Sequence, residues 1–124
     1  MLWKNIFLVA AGGSLGAVSR YLGNRMISTQ YTGAFPLGTF LVNIAGCLLI
    51  GLLYGWSVKN NLLSQDMKLL LMTGFCGGFT TFSSFTMEGM TLLQQDRFLV
   101  FLLYFTASVV TGLAATYIGY LITR

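Results

Sequence analysis

Apolar residues along the chain occur in four long runs, and each run is long enough to cross a lipid bilayer. A membrane-spanning helix needs about 20 mostly apolar residues. Polar links with turn-forming residues separate the runs: "STQYTGAFP", "KNNLLSQD" and the short "QQDR". The pattern predicts an all-α membrane protein that forms one domain over residues 1–124. Its four predicted transmembrane helices are Ile6–Leu22, Leu37–Val58, Leu69–Leu93 and Phe98–Ile122.

The composition supports an integral membrane protein and excludes several other classes. The chain has 124 residues, of which 56% are hydrophobic and 8% charged, whereas soluble domains carry about 25% charged residues. Histidine is absent, which removes most general-base chemistry. Because no nucleophile–base pair is available, we do not expect an enzyme. Cys47 and Cys76 lie far apart inside apolar runs and are interpreted as packing residues. The net charge is +4, but the basic residues are scattered, so we expect no nucleic-acid partner.

The basic residues distribute almost equally between the two sides of the membrane. Lysine and arginine in short loops normally set orientation. A nearly even distribution permits insertion in both directions, although a single, weakly set orientation is also compatible with the charges. The side with both termini and the middle link has Lys4, Lys59, Lys68 and Arg124, and the other side has Arg20, Arg25 and Arg97.

Pairs of glycines spaced four residues apart indicate close helix contacts. Such pairs let two helix backbones approach each other. Contacts within one chain and a dimer interface are both compatible with each pair. Four short spans can hardly enclose a site, which favours an oligomer. The pairs are Gly12 and Gly16, Gly51 and Gly55, and Gly74 and Gly78.

The third span contains the unusual stretch "GFCGGFTT". Gly77 and Gly78 lower helix propensity, and the threonines after them are weak helix formers. If the helix opens here, backbone carbonyls are freed within the membrane, where they can bind a hard cation such as sodium. A simple kink at a helix crossing explains the same residues. The sequence alone leaves both interpretations open.

Polar residues inside the spans are costly unless they are paired or face water. Thr39 and Asn43 lie one turn apart in the second span. The Asn43 amide can donate to an anion, but a hydrogen bond between helices is the commoner use of a lone asparagine. Tyr104, Ser108 and Thr111 form a hydroxyl stripe on the fourth span. Such a stripe can donate hydrogen bonds to an anion along a path.

Phenylalanines and polar residues also alternate along the third span. Ring edges carry partial positive charge and can face an anion in a narrow path, although aromatic stripes are usually packing. Arg20, near the end of the first span, can snorkel or turn towards a watery vestibule. The third-span stripe is Phe79, Phe82, Phe85 and Glu88, with Thr81 and Ser84 beside it.

Three motifs, in order, resemble those of the Fluc (CrcB) family of bacterial fluoride channels. They are "GGSLGAVSRY", "PLGTFLVNIAG" and "TGFCGGFTTFSSFTMEG", and the third is highly specific. The resemblance covers the whole chain. It implies a fluoride-selective passive channel in the bacterial plasma (inner) membrane, with two pores in an antiparallel, dual-topology homodimer and a third helix broken in mid-membrane.

The resemblance also implies roles for individual residues. Arg20 matches a vestibule arginine. The Gly77 and Thr80 carbonyls match those that hold a structural sodium ion (Na⁺) at the dimer centre. The expected fluoride pore residues are Thr39, Asn43, Thr81, Phe82, Ser84, Phe85, Glu88, Tyr104 and Ser108.

The sequence departs from the family pattern at two places. Many members carry a serine one turn beyond Ser108, where this chain has Gly112. The neighbouring Thr111 points about 100° away from the direction of position 112 on an ideal helix. The polar track is therefore either shortened or re-routed. "FSSF" replaces the more usual "FSTF" and keeps the hydroxyl.

Two other functional classes remain open at this stage. Small dual-topology multidrug exporters couple their substrate to protons through a membrane carboxylate, for which Glu88 is the candidate. Proton-dependent drug efflux would distinguish them from a channel. A non-transporting assembly subunit is the third class, but it leaves the hydroxyl stripe unexplained.

Overall fold

The computed structural model describes residues 1–59 and 61–124, and all regular secondary structure in them is helical. Asn60, in the predicted link "KNNLLSQD", lies outside the described residues. The elements in chain order are α1 (Leu2–Ser28), α2 (Leu37–Val58), α3 (Gln65–Met67), a π-helical segment (Lys68–Cys76), α4 (Gly77–Phe79), α5 (Ser83–Gln94) and α6 (Phe98–Thr123).

Within the described part of the chain, the three helices α1, α2 and α6 are long and apolar enough to cross a membrane. Helix α2 has the predicted bounds, and α6 ends one residue later than predicted. Helix α1 extends beyond the predicted Ile6–Leu22 at both ends. Backbone hydrogen bonding continues past the apolar run, and Arg25 in the last turn is favourable at a helix C-terminus.

The predicted third helix is interrupted, as expected, but not at its glycines. Residues 65–79 form one helical stretch, and α5 resumes at Ser83. Gly77 and Gly78 are both helical, and Thr80 leaves the helix with ψ 156°. A Cβ on Gly78 would lie 3.0 Å from the Gly13 Cα. Gly78 therefore serves close packing against α1, and the opening comes after it.

The start of the 65–79 stretch is fixed by a cap and an ion pair. The Ser64 hydroxyl accepts a hydrogen bond from the Met67 N–H at 3.2 Å. The Lys4 ammonium lies 3.2 Å from the Asp66 carboxylate, and both side chains are about half exposed. The π-helical turns that follow were not predicted. The cap and the ion pair place the beginnings of α1 and of this stretch at the same end of the molecule.

All three glycine pairs pack between helices of the same chain. Cβ atoms at Gly12 and Gly16 would collide with the backbone of the 65–79 stretch, and one at Gly74 would lie 3.0 Å from the Gly12 Cα. Cβ atoms at Gly51 and Gly55 would collide with α6. The intra-chain interpretation of the pairs is therefore confirmed, and the small residues set the helix spacing.

Contacts between α2 and α6 show that these two helices run parallel. The Thr116 hydroxyl of α6 donates to the Cys47 carbonyl of α2 at 3.0 Å. One to two turns further on, the Thr123 hydroxyl donates to the Leu52 carbonyl at 2.7 Å. Two threonine hydroxyls of α6 that donate to main-chain carbonyls of α2 thus stabilise the seam between the helices.

A matched pair of substitutions tests the packing of α1. A Cβ at Gly12 would collide with the Leu70 carbonyl and lie 2.9 Å from the Phe75 nitrogen. A Cβ at Gly13 would meet only the Gly74 carbonyl, at an ordinary 3.8 Å. We predict that Gly12→Ala destabilises the protein by about 1–3 kcal/mol, as overpacking does. Thermal unfolding of the purified protein in detergent measures the difference.

The Gly13→Ala protein is the control and should be as stable as the parent or slightly more stable, because alanine raises helix propensity. Equal stability of both variants would contradict the packing described for α1.

Candidate functional site

A carboxylate network joins three helices near the start of α2. Glu88, on α5, accepts a hydrogen bond on each carboxylate oxygen. The Thr39 hydroxyl donates to Oε2 at 3.0 Å, and the Tyr104 hydroxyl donates to Oε1 at 3.0 Å. Tyr104 is fully buried, and Thr39 is 2% exposed. Predicted site residues from the second, third and fourth spans therefore meet at one carboxylate.

The Glu88 carboxylate faces a cavity of about 620 Å³ between the end of α1 and the start of α2. Arg25 lines this cavity, whereas Arg20 is not among its lining residues. Arg20 is partly buried on α1, so its predicted vestibule role stays a prediction. The charge pattern of the sequence puts Arg25 on the same side of the membrane as Arg20, but no role was predicted for Arg25.

A second polar contact fastens α2 to the break in the third predicted span. The Thr81 N–H donates to Asn43 Oδ1 at 2.8 Å. The Asn43 amide donates in return to the Thr81 carbonyl at 3.0 Å. One asparagine side chain thus replaces both backbone partners of a residue outside regular helix.

Side chains engage two of the four N–H groups that would otherwise continue the helix across the break. In an unbroken helix the Thr81 and Ser84 N–H groups would bond to the Gly77 and Thr80 carbonyls. Instead, Thr81 donates to Asn43, and the Ser84 N–H donates to Thr81 Oγ1 at 3.1 Å. The carbonyls of Gly77 and Thr80 are therefore released from their helical donors.

An open groove of about 450 Å³ runs along the same face of the molecule and is mostly apolar. The Ser108 Oγ is buried and has no hydrogen-bond partner among the described residues. A buried hydroxyl without a partner is costly and needs a ligand or water. Predicted site residues that line the groove are Asn43, Gly77, Thr80, Thr81, Phe82, Phe85 and Ser108.

The predicted aromatic stripe is divided by the break. Phe79 belongs to the first half and stacks on Phe75, with centroids 5.7 Å apart, so its predicted place on a continuous stripe is wrong. Phe82 and Phe85 remain neighbours at 5.9 Å. Phe82 is 75% exposed, whereas Phe85 is 7% exposed.

Phe85 connects the groove with the carboxylate network. Its ring meets the Tyr104 ring edge-on at 5.0 Å and stacks on Phe105 at 4.3 Å. Phe105 is an aromatic neighbour that the sequence analysis missed, because nothing in the polar pattern of the fourth span points to it. Phe85 is therefore both a packing residue and the wall between two polar regions.

The hydroxyl stripe on α6 ends at Ser108. Thr111 is exposed and bonds to its own helix at the Ala107 carbonyl. Gly112 is buried, and a Cβ there would lie 3.4 Å from Cys47 Sγ. Thr111 therefore does not extend the track, so its predicted place in the hydroxyl stripe is wrong, and of the two alternatives the single chain favours a shortened track. Ser84, also a predicted pore residue, is partly buried and lies outside the lining of the groove.

The sequence matches a known protein family over nearly its whole length. The family model described as "CrcB-like protein, Camphor Resistance (CrcB)" matches residues 7–120. A protein of Flavobacterium psychrophilum named "Fluoride-specific ion channel FluC" is 48% identical over 121 residues, covering 98% of each chain. A FluC of Azobacteroides pseudotrichonymphae genomovar. CFP2 is 44% identical, covering 98% of this chain and 97% of its own.

The chain belongs to the CrcB family. The match includes both hydrogen-bonded networks and the whole break. CrcB membership and the three apolar helices make it a multi-pass protein of the bacterial inner membrane. The relatives are named as channels and not as enzymes, in agreement with the prediction from the absence of catalytic pairs.

A single hydroxyl tests the carboxylate network. Tyr104→Phe removes one donor to Glu88 and leaves the buried ring in place. We predict a loss of about 1–3 kcal/mol in unfolding free energy, because a buried acceptor loses its partner. Thermal unfolding in detergent measures it. Tyr117→Phe, at an exposed position of the same helix, should leave stability unchanged, and equal losses in both variants would contradict the network.

Proposed function

We propose that this protein is a passive, fluoride-selective ion channel that lets cytoplasmic fluoride leave the cell. The observation that carries the proposal is the buried, unpartnered Ser108 hydroxyl in a groove beside Phe82 and Phe85. A hydroxyl that has no hydrogen-bond partner in the described part of the chain is available to an ion. The relatives' name, fluoride-specific ion channel, supports this choice of ion.

The groove has the chemistry that a small, strongly hydrated anion requires. Ser108 offers one O–H, and Asn43 keeps one N–H after its bond to Thr81. Phenylalanine edges add weak positive potential. Neutral donors replace part of the hydration shell without trapping the ion, which conduction requires. A larger anion such as chloride gains less from these donors.

We propose that residues 65–94 also cross the membrane, in addition to α1, α2 and α6, so that they form the third crossing in chain order. The two halves, 65–79 and α5, together match the length of a span, although the break divides them. Parallel packing of α1 with the 65–79 stretch, and of α2 with α6, suits four crossings that alternate in direction. The break then lies within the membrane, where only a protein-covered backbone is tolerated.

We propose that a second copy covers the groove in an antiparallel, dual-topology homodimer. Phe82 and Gly77 are exposed in the single chain, and a Cβ at Gly77 meets no atom within 4 Å. An open apolar face with freed carbonyls needs cover inside lipid. The nearly equal charges of the two sides permit both insertion directions. Two equivalent grooves then give two pores.

The break fits a structural sodium ion between the two copies. The Gly77 and Thr80 carbonyls are released from helical donors, and carbonyl oxygens suit a hard cation. In the described residues no cluster of three or more His, Cys, Asp or Glu offers a metal site. Two carbonyls from each chain would hold the ion, which supplies positive charge and joins the subunits.

The multidrug-exporter alternative receives less support from Glu88. Both of its carboxylate oxygens accept hydrogen bonds from protein hydroxyls. An exporter needs a membrane carboxylate that exchanges protons for substrate. A carboxylate held by two donors is better suited to a fixed position beside an anion path.

Anion efflux from liposomes that contain only the purified protein tests the proposed function. We expect fast fluoride efflux without a proton gradient and little chloride efflux. Proton-driven efflux of a cationic drug, without fluoride flux, would establish the exporter instead.

Phe82→Ile removes an aromatic edge from the groove while keeping an apolar side chain. We predict that fluoride flux falls by up to about tenfold, which corresponds to the 0.5–1.5 kcal/mol typical of aromatic-edge contacts. Phe98→Ile, at an exposed position at the start of α6, is the matched control and should retain flux. Phe85 is less suitable, because its burial makes any change structural. Unchanged flux in Phe82→Ile would leave that ring without a role in conduction.

Gly77→Leu separates the fold of one chain from assembly. The single chain has open space at Gly77, so a larger side chain there does not disturb its fold. We therefore predict an unchanged helical circular dichroism spectrum together with loss of the dimer in size-exclusion chromatography. A Gly77→Leu protein that remains dimeric would show that the groove face is not the dimer interface.

A further inference from the structure

We propose that Asn43 is the positioning residue that holds the third-span break open and so presents the Gly77 carbonyl to a cation. The proposal rests on the cation site of the proposed function. This role differs from that of an anion donor in the pore, because an anion would use only the Asn43 N–H that does not bond to Thr81.

The geometry of the amide carries this inference. Asn43 makes two hydrogen bonds to one residue, Thr81, with N···O distances of 2.8 and 3.0 Å. The pair satisfies both the N–H and the carbonyl of a residue that lacks helical partners. Because Asn43 is on α2, the rigid helix also fixes the position of the break in space.

Loss of this amide has a definite consequence for the backbone. Without Asn43, the Thr81 N–H is a partly buried donor that has lost its partner, and its acceptor in a continuous helix is the Gly77 carbonyl. The helix would then extend by one bond, which withdraws that carbonyl from a cation. Asn43 therefore competes with helix propagation at the opening.

The same amide limits what the pore can gain from Asn43. An asparagine offers two N–H donors and one carbonyl oxygen, and Thr81 uses one N–H and the oxygen. One N–H remains for an anion in the groove. Substitutions at Asn43 will consequently affect both flux and the cation site, and only a cation readout separates the two.

The first test follows thermal stability of the purified dimer as sodium chloride replaces N-methyl-D-glucamine chloride. Asn43→Leu keeps the side-chain bulk and removes both bonds. We expect the sodium concentration for half-maximal stabilisation to rise by about tenfold or more, the usual effect of losing a residue that orients metal ligands. Thr116→Val, which loses one bond to the α2 backbone away from the break, should keep the parent's sodium midpoint.

An unchanged sodium midpoint in Asn43→Leu, together with reduced fluoride flux, would overturn the proposal and leave Asn43 as a pore donor only. Absence of sodium dependence in the parent would remove the cation site while leaving fluoride conduction intact. The two failures are therefore distinguishable.

Amide hydrogen exchange at Thr81 tests the break itself, with or without sodium. In the parent we expect protection at Thr81, because its N–H is bonded to Asn43. Asn43→Asp keeps an acceptor for that N–H and should keep the protection. Thr116→Val, which changes a bond away from the break, should also keep it. Rapid Thr81 exchange in the parent, or loss of protection in Asn43→Asp while Thr116→Val keeps it, would contradict the role of Asn43.

Discussion

The backbone N–H and C=O groups at the break in the third predicted span do not form helical hydrogen bonds with each other. The rest of the site depends on which groups bond to them instead. An unpaired peptide group in an apolar environment costs several kcal/mol. Asn43 and the Thr81 hydroxyl take two of the four N–H groups, those of residues 81–84, that would have closed the helix. These two donors are thus satisfied within the chain, and their helical acceptors, the carbonyls of Gly77 and Thr80, are left without them.

Helix α2 is the scaffold for both polar networks. Thr39 and Asn43 lie one turn apart on it, so that the Glu88 carboxylate and the break are held by the same rigid element. Its other side is fastened to α6 through Thr116 and Thr123. Two long parallel helices therefore hold the donors that line the groove in fixed positions, as the proposed conduction requires.

Local pattern was sufficient for the bounds of α2 and almost for those of α6, but α1 is longer than predicted at both ends. Continuous apolar residues gave α2 its correct bounds, whereas spacing alone put Thr111 in the hydroxyl stripe, although its hydroxyl bonds to its own helix. The opening was only approximately placed, because Gly77 and Gly78 were weighed by propensity. In the fold, Gly78 is needed for close contact with α1, and the helix ends at Thr80.

The partners across the fold were beyond the reach of sequence patterns. Nothing near Asn43 in the sequence indicates that its amide bonds to Thr81, 38 residues away. The same holds for the meeting of Glu88 with Thr39 and Tyr104, and for Arg25 at the adjoining cavity. Such contacts follow from helix packing, which the glycine pairs indicate only as close approach, without naming the helices that meet.

The central claim is that the freed carbonyls of two antiparallel chains meet around one monovalent cation. Crystals of the full-length protein, with sodium replaced by thallium(I), test it directly through anomalous scattering. The account predicts one strong peak on the two-fold axis between the breaks, within coordination distance of the Gly77 and Thr80 carbonyls of both chains. A continuous helix across residues 80–82, or breaks that lie far apart with no peak between them, would contradict it.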